Sequence, residues 1–350
     1  MDEIAVGKFK VGKMHPPLII AEMSGNHNRS LERALEIVDA AGKAGAHALK
    51  IQTYTAETMT LNLNDGDFKI EDPKSLWNGR SLYELYDEAH TPWEWHRAIF
   101  DRCNDWGMLP FSTPFDDSAV NFLEELGVAC YKVASFEITD LPLIRRIAQT
   151  GKPVLVSTGM ASVGEIEEAV KILRAEGNHN FVLLKCTSTY PALPTDSNIS
   201  TISHLKDMFA CQVGLSDHTL GVGVPLAAVA LGASVIEKHF TLSRDDGGVD
   251  SAFSLEPFEL KLLVEESLRA WQALGHVRYG ASENEKKSLT FRRSLYASED
   301  IEAGENLSAE NVRIIRPGYG LAPKHFQEVI GRKAKVFLKK GTPLKWGAID

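Results

Sequence analysis

Between Gly214 and Glu256 the chain reads GLSDHTLG, SVIEKHF and DGGVDSAFSLEP, which gathers His218, His239 and Asp250 into one stretch. Each histidine closes a short apolar run, Gln212 to Leu215 and Ser234 to Ile236, with an alanine-rich segment of helical character between them. That pattern is one β-α-β unit, so both imidazoles leave the same end of adjacent parallel strands. Two neutral imidazoles so placed can share a metal ion. Taken singly, each histidine is better explained by a hydrogen bond to a loop; together, with acids and hydroxyls alongside, they point to a site. Two protein ligands leave positions open for water and a substrate oxygen, which suits an exchangeable divalent ion, Mn2+ first and Mg2+ or Co2+ after it, better than four-ligand structural zinc. Such an ion polarises a carbonyl as a Lewis acid.

The other strand ends add Glu22, Lys50, Thr113, Lys132, Ser135, Glu137, Ser157, Ser188, Tyr190 and Ser216. Lysines and hydroxyls converging in one mouth suit a phosphorylated, anionic ligand, the ammonium groups supplying charge and the hydroxyls fixing its oxygens. Lys185 and Lys238 are expected to lie outside this set and to carry their ammonium groups to the rim, since Lys238 alternates out of phase with His239. Lys132 and Ser135 cannot share a face of an ideal strand, so the chain must bend or end between them.

The elements that position these groups alternate. LIIAEMS is a buried strand, and NRSLERALEIVDAAGKAG is an amphipathic helix with Ser30 as its cap. AHALKIQ, MLPFSTP, ACYKVAS, PVLVSTG, FVLLKCT, QVGLSDH and SVIEKHF follow as strands, most of them separated by helices. Eight such units in about 260 residues predict an α/β fold, a (β/α)8 TIM barrel with its site at the C-terminal strand ends. An open doubly wound sheet is the alternative, but the first β-α turn lacks GxGxxG. IAVGKFKVG within Met1 to Met14 reads as a hairpin serving as lid or plug. Residues 53–90 form an insertion at the catalytic end, where Trp77, Tyr83 and Tyr86 either cover a sugar or make a small core of their own.

The barrel and its hairpin are expected over 1–280 and a polar linker over 281–290. A small β-rich domain over 291–350 has similar turns, DIEAGENL and FLKKGTPL, which suggest an internal two-fold; so small a unit is expected to pack against a barrel. A net charge of -9 without a long basic run gives no nucleic-acid partner. The four cysteines have no metal or disulfide spacing. No signal-peptide core or membrane-length apolar run is present, so the expected compartment is the cytoplasm, with no membrane partner.

IIAEMSGNHN, KIQTYTAETMT, LYELYDEAHTPWEW, FSTPFDDSAV, YKVASFEITD, STGMAS, CTSTYPA, GLSDHTLG, EKHFTL, GGVDSAFSLEP and RPGYG, in that order, resemble the sialic acid synthase family, and its pseudaminic branch most. The resemblance implies a barrel followed by an antifreeze-like (SAF) domain, a domain-swapped homodimer, and condensation of phosphoenolpyruvate with an amino sugar with release of phosphate. It implies His218 and His239 as metal ligands and catalytic groups. It assigns phosphoenolpyruvate to Lys50, Thr113, Lys132, Ser135, Ser157 and Ser216, and the sugar and reacting carbons to Glu22, Glu137, Tyr190 and Asp250. Arg316 is implied to reach the sugar from the small domain of the other subunit. Ser188 stands where the N-acetylneuraminate branch has asparagine, and GGVDSAFSLEP departs from that branch's motif; loss of an amide relaxes one sugar preference and permits another. Arg29 replaces a frequent glycine without an evident reason. The competing readings are an N-acetylneuraminate or legionaminate synthase, a Schiff-base pyruvate aldolase, and a non-catalytic carbohydrate- or ice-binding protein.

Overall fold

Eight apolar runs pair in parallel and close on themselves. They are β3 (Leu18–Glu22), β4 (Ala48–Thr53), β5 (Leu109–Pro114), β6 (Tyr131–Val133), β7 (Val154–Ser157), β8 (Phe181–Cys186), β9 (Gln212–Asp217) and β10 (Val235–His239). β10 bonds to β9 on one side and to β3 on the other, so the sheet has no edge and the open-sheet alternative is excluded. A computed structural model describes residues 3–73 and 75–350. Met1 and Asp2 of the hairpin reading, and Lys74 of the insertion, lie outside the described residues. The chain divides into two compact units, Met1–Gly275 and His276–Asp350.

Local chemistry starts and stops the helices as the sequence suggests. Ser30 Oγ accepts from Arg33 N at 3.2 Å, and Gly45, with φ at 86°, ends the helix Leu31–Ala44. Its buried face, Ala34, Ile37, Val38 and Ala41, packs on the outward strand residues Ile19, Ala21, Leu49 and Ile51. Strands are therefore buried on both faces.

The barrel interior has two chemistries. Its N-terminal half is apolar, filled by Leu18, Ile20, Ala48, Leu109, Phe111, Leu155, Val182, Leu184 and Val235. The hairpin β1 (Glu3–Val6) and β2 (Phe9–Gly12) adds Ile4, Val6 and Val11 to that cluster, so it is a plug and not a lid. Gly7 makes its turn: φ is 57°, and a Cβ there would lie 2.6 Å from Leu109 Cδ1. The C-terminal half is polar and forms the site described below.

The insertion folds into the short helices Ala56–Met59 and Leu82–Ala89, the latter with a Ser81/Glu84 capping box. In the second unit β11 (Ser294–Ala297) pairs antiparallel with β12 (Val312–Ile315) over a core of Leu295, Ile301, Leu307, Leu338 and Leu344. The internal two-fold is visible: Ile301 and Leu338 exchange both backbone hydrogen bonds at 2.9 Å, and Gly304 and Gly341 turn at φ of 86° and 87°. The stretch expected as a linker runs into a 3-10 helix, Lys286–Phe291, and groups with this unit, where Thr290 accepts from Gly318 N at 2.8 Å and donates to the Tyr319 hydroxyl at 3.1 Å. All four cysteines are buried and unpaired, and among the described residues no helix is long and apolar enough to cross a membrane.

Phe111 fills the apolar half with no exposed surface. Phe111→Ala should cost about 3–5 kcal/mol of barrel stability. A denaturant midpoint within error of the parent would show that the interior can collapse around the loss.

Candidate active site

Register alone assembles the polar layer. In a parallel sheet, paired residues point the same way. His239 is opposite Glu22 and Glu22 opposite Lys50, which makes one inward row across β10, β3 and β4. One step deeper, Glu237 is opposite Ser216 and Ser216 opposite Cys186. β6 contributes Lys132 and ends at Val133, so Ser135 turns into the mouth from beyond the strand, which resolves the phase conflict.

Four ionisable side chains meet there, none more than 4% exposed. Lys50 Nζ lies 2.8 Å from Glu22 Oε2 and 3.9 Å from Glu237 Oε1, and donates to Thr113 Oγ1 at 3.1 Å. Glu237 Oε1 also lies 3.5 Å from Lys132 Nζ and accepts from Ser216 Oγ at 3.1 Å. Burial pushes Glu237 up, but Lys132 and Lys50 outweigh it and its pKa is lowered. Burial also opposes charge on Lys50, yet Glu22 and Glu237 raise it, whereas burial prevails at Lys132 and lowers it. Glu22 is raised, by burial first and with Lys50 opposing; Gln52 Nε2 donates to its Oε1 at 3.0 Å. Ser157 is buried beside this layer with no hydrogen-bond partner for its hydroxyl.

The two imidazoles stand 5.3 Å apart between ring centroids, and the Phe253 ring packs 4.9 Å from His239 and 6.0 Å from His218. His218 Nδ1 lies 2.8 Å from the Thr187 carbonyl, so the tautomer that donates there leaves Nε2 as an electron-pair donor. Burial lowers His239 far below its ordinary value, with His218 and Lys50 adding to the effect, and it stays neutral as a ligand must. Its Nδ1 is buried without a hydrogen bond, 3.8 Å from Asp250 Oδ2. Burial opposes charge on His218, but Cys186 beside it outweighs that and raises its pKa. Among the described residues no cluster of three or more His, Cys, Asp or Glu side chains forms a metal cage. What the structure brings together is the two adjacent, buried imidazoles of His218 and His239, the pair expected as metal donors.

Above this layer opens a cavity of about 390 Å3. Its lining includes Ser24, Gln52, Ser135, Glu137, Tyr190, His239 and Asp250, together with Met59, Ile70, Ser75, Trp77, Leu82, Leu85 and Tyr86 of the insertion. Trp77 Nε1 donates to the Val249 carbonyl at 3.0 Å, and its ring meets Tyr190 at 5.9 Å. Tyr83 instead bonds Glu57 and does not line the cavity. Asp250 accepts from Ser24 Oγ, and Ser188 Oγ lies 2.8 Å from Ser135 Oγ. Glu137 sits on a short 3-10 turn, one carboxylate oxygen buried and unbonded, its pKa pushed up by burial to about 7. Arg316 lies in the second unit, exposed just after β12.

Sequence reading missed Glu237, although the alternation that placed Lys238 out of phase with His239 also places Glu237 in phase with it. Gln52 and Ser24 were missed too; nothing in their types marks them. Lys185 reaches the strand end, donating to the Cys186 carbonyl at 2.7 Å. Lys238 does not reach any rim. It is fully buried and paired with Asp217 Oδ2 at 2.9 Å, because Val229, Leu260 and Leu263 seal the outer layer.

A model of the NeuB family matches residues 37–279, and a SAF domain model matches residues 292–350. The chain belongs to the NeuB family. It is 47% identical to the pseudaminic acid synthase of Campylobacter jejuni serotype O:2, over 98% of each chain. It is 38% identical to the N,N'-diacetyllegionaminic acid synthase of the same strain, over 92% of this chain and 96% of that one. A crystal structure of N-acetylneuraminic acid synthetase from Leptospira borgpetersenii superposes with a TM-score of 0.73 at 35% identity, covering 82% of this chain and 95% of that one. The NeuB match covers most of the barrel unit and the SAF match covers the small domain.

Glu137 gives this NeuB barrel a pH signature. Its folded pKa of about 7 exceeds the ordinary 4.5, so its contribution to stability is full below 4.5 and is lost as pH rises through 7. Glu137→Gln should therefore gain stability relative to the parent between those values, read from paired denaturant midpoints; a gap independent of pH would refute the raised pKa.

Proposed function

We propose that this enzyme condenses phosphoenolpyruvate with 2,4-diacetamido-2,4,6-trideoxy-β-L-altropyranose and water to give pseudaminic acid and phosphate. The observation that carries this reading is the buried layer of Lys50 and Lys132 with Thr113, Ser157 and Ser216, beneath two imidazoles and a cavity lined by polar strand-end residues and by apolar residues of the insertion. The ammonium groups match the phosphate and carboxylate charge of phosphoenolpyruvate, and the apolar wall suits a sugar rich in methyl groups and poor in hydroxyls. The greater identity to a pseudaminic acid synthase than to a legionaminic acid synthase supports the choice of sugar.

The bonds balance as follows. C3 of phosphoenolpyruvate attacks the aldehyde carbon of the open-chain sugar, the carbonyl electron pair moves to oxygen, and positive charge develops at C2. Water adds to C2, one of its protons ending on the sugar alkoxide, and the C2 hydroxyl gives its other proton to the departing phosphate as the C–O bond breaks and the ketone forms. A divalent ion, Mn2+ in this reading, supplies Lewis-acid polarisation of a carbonyl oxygen when held by His218 and His239. Lys50 and Lys132 offset the phosphate charge, with Ser135 beside them at the mouth. Glu137 is better suited than Glu22 to take the water's proton: it lines the cavity, has a free oxygen and titrates near 7, whereas Glu22 is tied to Lys50 and Gln52. Ser188, Tyr190 and Asp250 face the sugar. The same reading takes the enzyme as a cytoplasmic, domain-swapped homodimer in which Arg316 of one copy serves the sugar in the other.

The lowered pKa of Lys132 favours a second reading, a Schiff-base pyruvate aldolase. The test is phosphate release from phosphoenolpyruvate with Mn2+, offering the altrose-configured sugar or N-acetylmannosamine, with a chelator control and borohydride trapping on pyruvate. Release with the altrose sugar alone, lost on chelation, is expected. Release with N-acetylmannosamine instead overturns the sugar assignment, and a trapped lysine adduct overturns the mechanism. His218→Ala should abolish metal-dependent turnover with the fold intact; unchanged turnover removes His218 from the ligand set.

A further inference from the structure

One buried ion pair is not used by the reaction above. Lys238 and Asp217 are register partners on the outward faces of β10 and β9, 0% and 4% exposed, with Nζ to Oδ2 at 2.9 Å. Lys238 also donates to the Thr219 carbonyl. Asp217 in turn accepts from Thr219 N through Oδ1 at 3.1 Å and from Thr219 Oγ1 through Oδ2 at 2.8 Å. The Asp217 side chain thus spans the turn whose middle residue is His218, and Lys238 ties that turn to the strand that ends at His239. Both histidines are the chain neighbours of the paired residues, on the opposite face of the sheet.

A buried pair returns little net stability against apolar side chains of similar size, since desolvation of both ions offsets their attraction. What it adds is direction and distance. β9 ends at Asp217, so His218 has no strand hydrogen bonds of its own to hold it in register. Its backbone is fixed by Ala192 N donating to its carbonyl at 3.0 Å and by the Asp217 clamp on the following residue.

We propose that the Asp217–Lys238 pair is a positioning device that sets the separation and mutual orientation of the His218 and His239 rings from behind the sheet, and through them the affinity of the divalent site. The inference rests on the two-histidine reading of that site. Asp217→Asn/Lys238→Met keeps an oxygen for Thr219 N and removes both buried charges and the tie between strands, while the amide nitrogen that replaces Oδ2 can donate to Thr219 Oγ1 in place of accepting from it. Lys238→Met alone leaves Asp217 buried and unpaired, and serves as the destabilised comparison.

The measurements are Mn2+ affinity by paramagnetic resonance of the free ion, the visible spectrum of bound Co2+, and the denaturant midpoint. The expected result for the double variant is a midpoint near the parent's, Mn2+ affinity about 10–100-fold weaker, and an altered Co2+ spectrum. A double variant with the parent's affinity and spectrum overturns the proposal and leaves the pair a packing feature. A parent that binds neither ion overturns the two-histidine reading itself, and the inference with it.

Discussion

Four charged side chains share the dry upper half of a closed barrel, and each of them, alone, would cost several kcal/mol to hold there. Glu22, Lys50, Lys132 and Glu237 are tolerable only as a set, in which every ion has an opposite one within 4 Å. That requirement constrains everything around it. The strands must be in register so that Glu22 meets Lys50 and Glu237 meets Ser216, the barrel must be closed so that no edge admits water, and the apolar half below must be plugged. The N-terminal hairpin is therefore as much a part of the site's electrostatics as the lysines, because it seals the medium in which their pairing counts.

The same layer is poised for an anionic ligand. Two lysines and two glutamates sum to no net charge, but Lys132 is held more loosely, 3.5 Å from its carboxylate against 2.8 Å for Lys50. In the proposed function, a phosphate or carboxylate entering beside Lys132 replaces a weak partner with a strong one and meets the buried, unbonded Ser157 hydroxyl, whereas Ser216 must first give up its bond to Glu237. Fixed charges and desolvated donors are effective because little of the site has to reorganise at the moment of binding.

How much of this was legible depends on what each residue's position encodes. The barrel was legible because both faces of its strands are apolar and helices intervene, a pattern that few architectures share. His218 and His239 were legible because strand ends can be found from the apolar runs that precede them. Glu237 is legible in principle, because the alternation that puts Lys238 out of phase with His239 puts Glu237 in phase with it, but a lone glutamate in an apolar strand carries no mark of the two lysines that other strands bring to it. Lys238 itself went astray because snorkelling assumes a path to water, and whether the outer face is sealed depends on Leu260 and Leu263, distant in sequence. Gln52 and Ser24 acquire meaning only from Glu22 and Asp250, which tertiary structure brings to them.

The carboxylates show why residue type alone does not assign function in such a site. Glu22, Glu137, Glu237 and Asp250 share one functional group and divide by surroundings. Glu237 touches both lysines and is held ionised; Asp250 is raised by burial, against the pull of the Ser24 hydroxyl. Glu22 is raised by burial and tied to Lys50, and only Glu137 combines a raised pKa with an unbonded oxygen in the cavity. A proton acceptor must be free to move its proton, and a structural counter-ion must not be. The barrel separates the two by depth: the paired carboxylate of Glu237 lies low, on the strand, and the unpaired one of Glu137 lies above it, on a loop turn that follows β6.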